Sequence, residues 1–169
     1  QHFLTQLHIP SSLKNIGEKA FYKCSALKMI TGQDRLTAIW SHAFEDCTSL
    51  SALPACPELA CLGDYAFAGC TGLKQIHIPQ NLSTIQAGTF KDCVHTEHIY
   101  FPWGLKEIHT CAFENCSGIY HLSLPDSVNF IGKSAFAGCH NLKSFTLPDD
   151  LKTLEEDVFG NCSSLMSLT

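Results

Sequence analysis

The chain is poor in charge. Only 16% of its 169 residues are charged, and its 11 Lys and Arg against 16 Asp and Glu leave a net charge of -5. The basic residues are scattered and form no stripe, which argues against a nucleic-acid partner. No apolar run approaches the roughly 20 residues that span a bilayer, so this segment inserts no membrane helix. The opening QHFLTQLHIP has no initiator Met, no charged leader and no small-residue cleavage site, so it does not read as a signal peptide. Catalytic phrases are missing as well: there is no G-x-S-x-G, no P-loop, no H-E-x-x-H and no Gly-rich dinucleotide turn. C-x-x-C is absent, and the spacings Cys56/Cys61 and Cys111/Cys116 fit no standard zinc pattern. These absences point to a protein that is not an enzyme and needs no cofactor or metal.

What the chain has is a period. Phe21, Phe44, Phe67, Phe90, Phe113, Phe136 and Phe159 stand 23 residues apart, and Cys24, Cys47, Cys70, Cys93, Cys116, Cys139 and Cys162 keep the same interval. Seven copies without an insertion make a tandem array, in which each unit buries its apolar face by stacking on the next. An unbroken period leaves no room for a linker, so residues 1–169 read as one domain. Apolar residues at 45% supply ample core. Both ends fall within a repeat and show no atypical cap, which predicts a segment of a longer array.

One repeat reads L-x-x-I-x-[IL]-P-x-x-L-x-x-I-x-x-x-A-F-x-x-C-x-x. In residues 73–79 (LKQIHIP), Ile76 and Ile78 alternate with Gln75 and His77, the signature of a strand buried on one face. Pro79, Pro102, Pro125 and Pro148 end that strand, because proline cannot donate to a ladder. A second short extended piece follows, as in LSTI and LKEI, and leads into Ala-Phe. Phe fills the coil interior, and the small Ala lets the next coil approach. Turn formers such as Asp46, Gly69, Asp92, Asn115, Gly138 and Asn161 precede each Cys. The expected fold is a β-rich solenoid of about seven coils with parallel strands and little helix, spanning roughly 34 Å at about 4.8 Å per rung. Ile30, Leu53, Ile76, Ile99, Leu122, Phe145 and Leu168 should lie on successive strands and point inward.

The strand, Pro, Ala-Phe and Cys signatures, recurring in one frame across the whole chain, resemble the BspA-like leucine-rich repeat family. Departures are Gln33 and Cys56 for the strand-ending Pro, Thr96 for the first strand Leu, and Thr89 and Val158 for the Ala before Phe. The resemblance implies a right-handed leucine-rich repeat superhelix. It also implies a place in large surface or secreted proteins of host-associated bacteria or parasitic protists, several of which act as adhesins toward host matrix proteins or other cells.

Stacking sets each ladder cysteine beside its copy with parallel side chains, a geometry that resists a disulfide dihedral near ±90°. The ladder thiols therefore read as buried, small apolar groups that donate weakly to main-chain carbonyls. Cys56 and Cys61 flank PELA and could bridge across it; Cys111 has no evident partner. Cys139, beside His140, sits in the ladder, where a reactive thiolate is disfavoured. Sequons occur at Asn81, Asn115 and Asn161.

Of the nine histidines, His8, His77, His98 and His121 fall in two columns of the exposed strand face. One column runs Gln6, Met29, Ala52, Gln75, His98, His121 and Ser144; its neighbour runs His8, Thr31, Pro54, His77, Tyr100, Ser123 and Thr146. His98 and His121 should be adjacent rungs, with His77 and Tyr100 beside them and Trp103 at the next corner. The plain reading is a wettable face. The alternatives are a binding patch of His77, His98, Tyr100, Trp103 and His121 for a protein or glycan of a host matrix or cell surface, or incidental metal capture by His98 and His121. A structural stalk that presents another domain is the rival to a binding module.

Overall fold

The computed structural model describes residues 3–32 and 34–169 as short parallel strands joined by turns, with none of the described residues in a helix. The 23-residue period becomes one coil per repeat. One side of the coils carries β1 (Gln6–His8), β3 (Met29–Thr31), β6 (Gln75–His77), β8 (His98–Tyr100), β10 (His121–Ser123), β12 (Ser144–Thr146) and β13 (Ser167–Leu168). A second side carries β2 (Asn15–Ile16), β4 (Ala38–Ile39), β5 (Cys61–Leu62), β7 (Thr84–Ile85), β9 (Glu107–Ile108) and β11 (Phe130–Ile131). Every pair is parallel and in a register of 23, as in Gln75↔His98 and Thr84↔Glu107. Between the two strands of a coil, the strand-ending proline opens a tight turn: Leu82 N–H donates to Pro79 O at 3.1 Å and Leu105 N–H to Pro102 O at 3.1 Å. Cys56 makes the same turn in place of proline, its carbonyl accepting from Leu59 N–H at 3.1 Å. Gln33, in the same column, lies outside the described residues.

The third side of the coil is a ladder of turns around the Phe residues. The Phe44 N–H donates to Ala66 O, Phe67 to Thr89, Phe90 to Ala112, Phe113 to Ala135 and Phe136 to Val158, all at 2.8–3.0 Å. The bond is made by the backbone, so Thr89 and Val158 serve as well as Ala. Two residues per coil adopt positive φ. Before each Cys stand Lys23, Asp46, Gly69, Asp92, Asn115, Gly138 and Asn161; four residues earlier stand Lys19, His42, Tyr65, Gly88, Cys111, Ser134 and Asp157. The first set is rich in residues that tolerate this backbone. The second is not, and each of its amides from Lys19 to Ser134 is held by a carbonyl of the next coil, as in Tyr65 N–H to Ala87 O at 2.8 Å.

One continuous core runs along the axis. The Phe rings stack at 5.2–6.1 Å and within 14° of parallel from Phe21 to Phe159. Phe101 and Phe145 enter edge-on, against Phe113 and Phe136 respectively.

The inward strand column departs from the sequence expectation at three places, one of them Ile99 in β8, which is half-buried. Leu53 is in no strand and is half-buried, and Leu168, although in β13, is 43% exposed. Leu168 pairs with Phe145 of β12. At Leu53 the cause is Pro54, which occupies a column whose N–H donates to the preceding coil. Proline has none to give. Pro54 turns inward while Ala55 turns out, the reverse of His77 and Ile78 one coil later. Residues 52–54 pair neither with β3 before them nor with β6 after them, and on the second side the sheet β2-β4-β5 ends where β11-β9-β7 begins. This seam is held by the turn ladder and by Asn81 Nδ2, which donates to Pro57 O at 2.9 Å.

Candidate functional site

Because successive strand residues point to opposite sides, the residues flanking each inward Ile or Leu face solvent. This alternation sets Gln75 beside His98 and His77 beside Tyr100 on the paired strands β6 and β8. The imidazole of His77 and the phenol ring of Tyr100 stack at 4.3 Å between centroids and 7° from parallel. Tyr100 is 49% exposed and Trp103, at the following corner, 87% exposed. The main chain of Trp103 is fixed by the Ser127 hydroxyl, which donates to its carbonyl at 2.8 Å.

His98 and His121 lie in successive coils, but no ladder pairs them. β8 pairs with β6, whereas β10 pairs with β12, where His121 Nδ1 lies 2.7 Å from Ser144 Oγ; no ladder joins β8 to β10. Two features distinguish the β8 coil at this break. Thr96 Oγ1 donates to Leu73 O at 2.9 Å and ties the coil to the one before it. Phe101 sets a bulky ring in the column of Ile78 and Leu124, edge-on to Phe113. The five proposed residues thus divide: His77, His98 and Tyr100 share the two-stranded island β6–β8, Trp103 stands in the turn after β8, and His121 belongs to the separate sheet β10-β12-β13. Among the described residues no group of three or more His, Cys, Asp or Glu side chains is placed to hold a metal ion.

The seam opens a cavity of about 720 Å³ beside the island. Leu53, Pro54, Ala55 and Ile78 are among its apolar walls, His77 faces it, and Asp34 supplies the carboxylate on its lining. Sequence reasoning passed over this site. Pro54, a proline in an outward strand column, was the signal that could have marked it.

The ladder cysteines stand apart from this face. Each thiol from Cys47 to Cys162 donates to the carbonyl of the Phe 26 residues earlier, at 3.2–3.4 Å. All ten cysteines are free, Cys56 and Cys61 included. Burial pushes the thiols of Cys47, Cys56 and Cys93 up to about 12, and those of Cys70 and Cys116 well above the ordinary value. At neutral pH these groups are packing elements without nucleophilic character.

Comparison with known proteins agrees with this architecture. The BspA type leucine rich repeat region, in six copies, matches residues 1–120 and 56–166. The chain belongs to the BspA-type leucine-rich repeat family. None of the curated proteins matches it. A leucine-rich repeat protein of T. pallidum is 28% identical over 99% of this chain and 70% of its own, with a TM-score of 0.72. One from Bacteroides ovatus is 27% identical over 97% of this chain, with a TM-score of 0.63. The chain spans about half the length of that protein, 54%. A leucine rich cell surface protein of Faecalibacterium prausnitzii shares the fold at 20% identity, covering 98% of this chain and 59% of its own, with a TM-score of 0.54. In this BspA-type chain, as in the repeat unit generally, the recurring residues build the coil. The irregular ones, Pro54, Tyr100, Phe101 and Trp103, shape the exposed face.

Proposed function

We propose that this chain is a non-enzymatic binding module of a cell-surface or secreted leucine-rich repeat protein, contacting another protein or a glycan in adhesion to a host. The observation that carries the reading is the stacked, exposed His77–Tyr100 pair beside the largely uncovered Trp103. Exposed aromatic rings held rigid by a scaffold give large contact area for little ordering entropy, and binding energy concentrates in such anchors. A surface location draws support from the cell-surface protein of F. prausnitzii that shares the fold.

The test is a binding screen against host matrix proteins and an array of glycans, repeated with Tyr100→Ala plus Trp103→Ala. Both side chains are exposed, so the double variant should keep its circular dichroism and melting profile. Loss of binding supports the patch. Binding that survives moves the site elsewhere on the coil, and the absence of any ligand favours a stalk that presents another domain.

A further inference from the structure

The seam leaves the main chain of β6 unpartnered on one side. Ile78 N–H donates to Tyr100 O at 3.0 Å, so the main-chain groups of Ile76 and Ile78 are turned toward β8. In a parallel strand the next residues turn the other way, which aims the N–H and C=O of Gln75 and His77 at the coil of Leu53. That coil forms no strand, and among the described residues no main-chain bond links Gln75 or His77 to it. β3 and β6 therefore stand on either side of a coil, residues 52–57, that pairs as a strand with neither. The 720 Å³ cavity lies between that coil and the open edge of β6, with Leu53, Pro54, Gln75 and His77 on its lining.

We infer that the open edge of β6 takes an extended peptide segment of a partner protein, with an apolar side chain in the cavity and a basic residue against Asp34. The reasons lie in the chemistry of the edge. Two N–H and two C=O groups, spaced by two residues along a strand, are matched by another extended backbone, which is how a peptide adds to a sheet edge. The walls formed by Leu53, Pro54 and Ile78 favour an apolar side chain, and the face of the His77 ring turned away from Tyr100 favours a flat or branched one. The carboxylate of Asp34 on the lining, in a chain of net charge -5, selects a cation. The inference rests on the reading of this chain as a binding module and adds a site separate from the Tyr100 and Trp103 anchors.

The experiment uses a synthetic library of capped nonapeptides with valine or isoleucine at alternate positions, one lysine and the rest randomised, screened against the whole chain. The tightest member is then resynthesised with N-methyl groups on residues of one parity or the other. Methylation on one parity should weaken binding at least about tenfold and on the other leave it unchanged, because alternate amides face β6. Ala55→Phe, a change at an exposed residue on the cavity lining, should abolish binding while leaving the fold intact. Asp34→Asn should weaken the lysine peptide and not its norleucine analogue. Hydrogen exchange at the Gln75 and His77 amides should slow when peptide is added. Failure of any library member to bind, equal sensitivity to methylation on both parities, or indifference to Ala55→Phe would overturn the inference. Peptide binding retained in the Tyr100→Ala, Trp103→Ala variant supports a separate site, and peptide binding lost there overturns the separation, so the two readings fail distinguishably.

Discussion

The thiol of Cys116 donates to the main-chain carbonyl of Phe90 at 3.2 Å, a carbonyl that already accepts from the amide of Cys93 at 3.3 Å. The cysteine ladder is thus a second set of bonds laid over turns that are closed without it. Cys116→Ala leaves no orphaned carbonyl, since Phe90 O keeps the Cys93 amide, and should cost only about 1 kcal/mol in urea unfolding. A cost above about 3 kcal/mol would show that the thiols hold the coils together.

Phe113 lies in the middle of the ring stack, 5.5 Å from Phe90 and 5.4 Å from Phe136, and also receives the edge of Phe101. Phe113→Ala should cost about 3–5 kcal/mol. Because a solenoid passes stability between neighbours, amide exchange should accelerate first in residues 85–140 and reach the outer coils less. Uniform acceleration along the chain would contradict this.

The buried thiols predict an alkaline limit to stability. A group whose pKa is raised on folding contributes stability that is complete below its unfolded pKa, about 8.5 for Cys, and is lost as pH rises through the folded value. With Cys47, Cys56 and Cys93 pushed up to about 12 by burial, the window is roughly pH 8.5 to 12. Within it each such thiol should lower the folding constant about tenfold per pH unit. Urea titrations across this range should show the slope, and Cys93→Ala should reduce it. At pH 8 a thiol reagent should reach Cys24, Cys61 and Cys111, which are half-buried, well before the other seven.

A methyl group at Gly88 would run into the ring of Tyr65, which itself lies flat on His42 at 5.3 Å. Gly88 has φ +60°, but Tyr65, Cys111 and Ser134 hold the same backbone in their own coils, so the clash dominates. Gly88→Ala should destabilise by about 1–3 kcal/mol, and adding Tyr65→Ala should recover part of that loss. Strictly additive costs in denaturant unfolding would rule out the contact.

The repeat was legible because a 23-residue interval places every residue next to its own copy. Once like faces like, the buried columns follow from which positions are apolar in every coil: Phe44 to Phe136, the Ala before most of them, and the inward Ile and Leu. The Asp, Asn and Gly before each Cys were legible too, since few other residues accept that backbone cheaply. The second positive-φ column was hidden. Lys19, His42, Tyr65, Cys111 and Ser134 share no chemical preference, because their strain is offset by main-chain bonds to the next coil and leaves no mark on the side chain.

The face was settled by tertiary structure. Periodicity names the neighbour of each residue but not whether the two backbones bond, which depends on the path each coil takes. The ladders are interrupted at the coils that carry Pro54 and Phe101, which leaves β6 and β8 as an isolated pair and puts His98 and His121 on different sheets. The sequence by itself determined the coil and its core, because burial by stacking repeats identically in every unit. Where the strands part and a cavity opens was decided by single side chains acting on their neighbours, an effect of packing that no period contains.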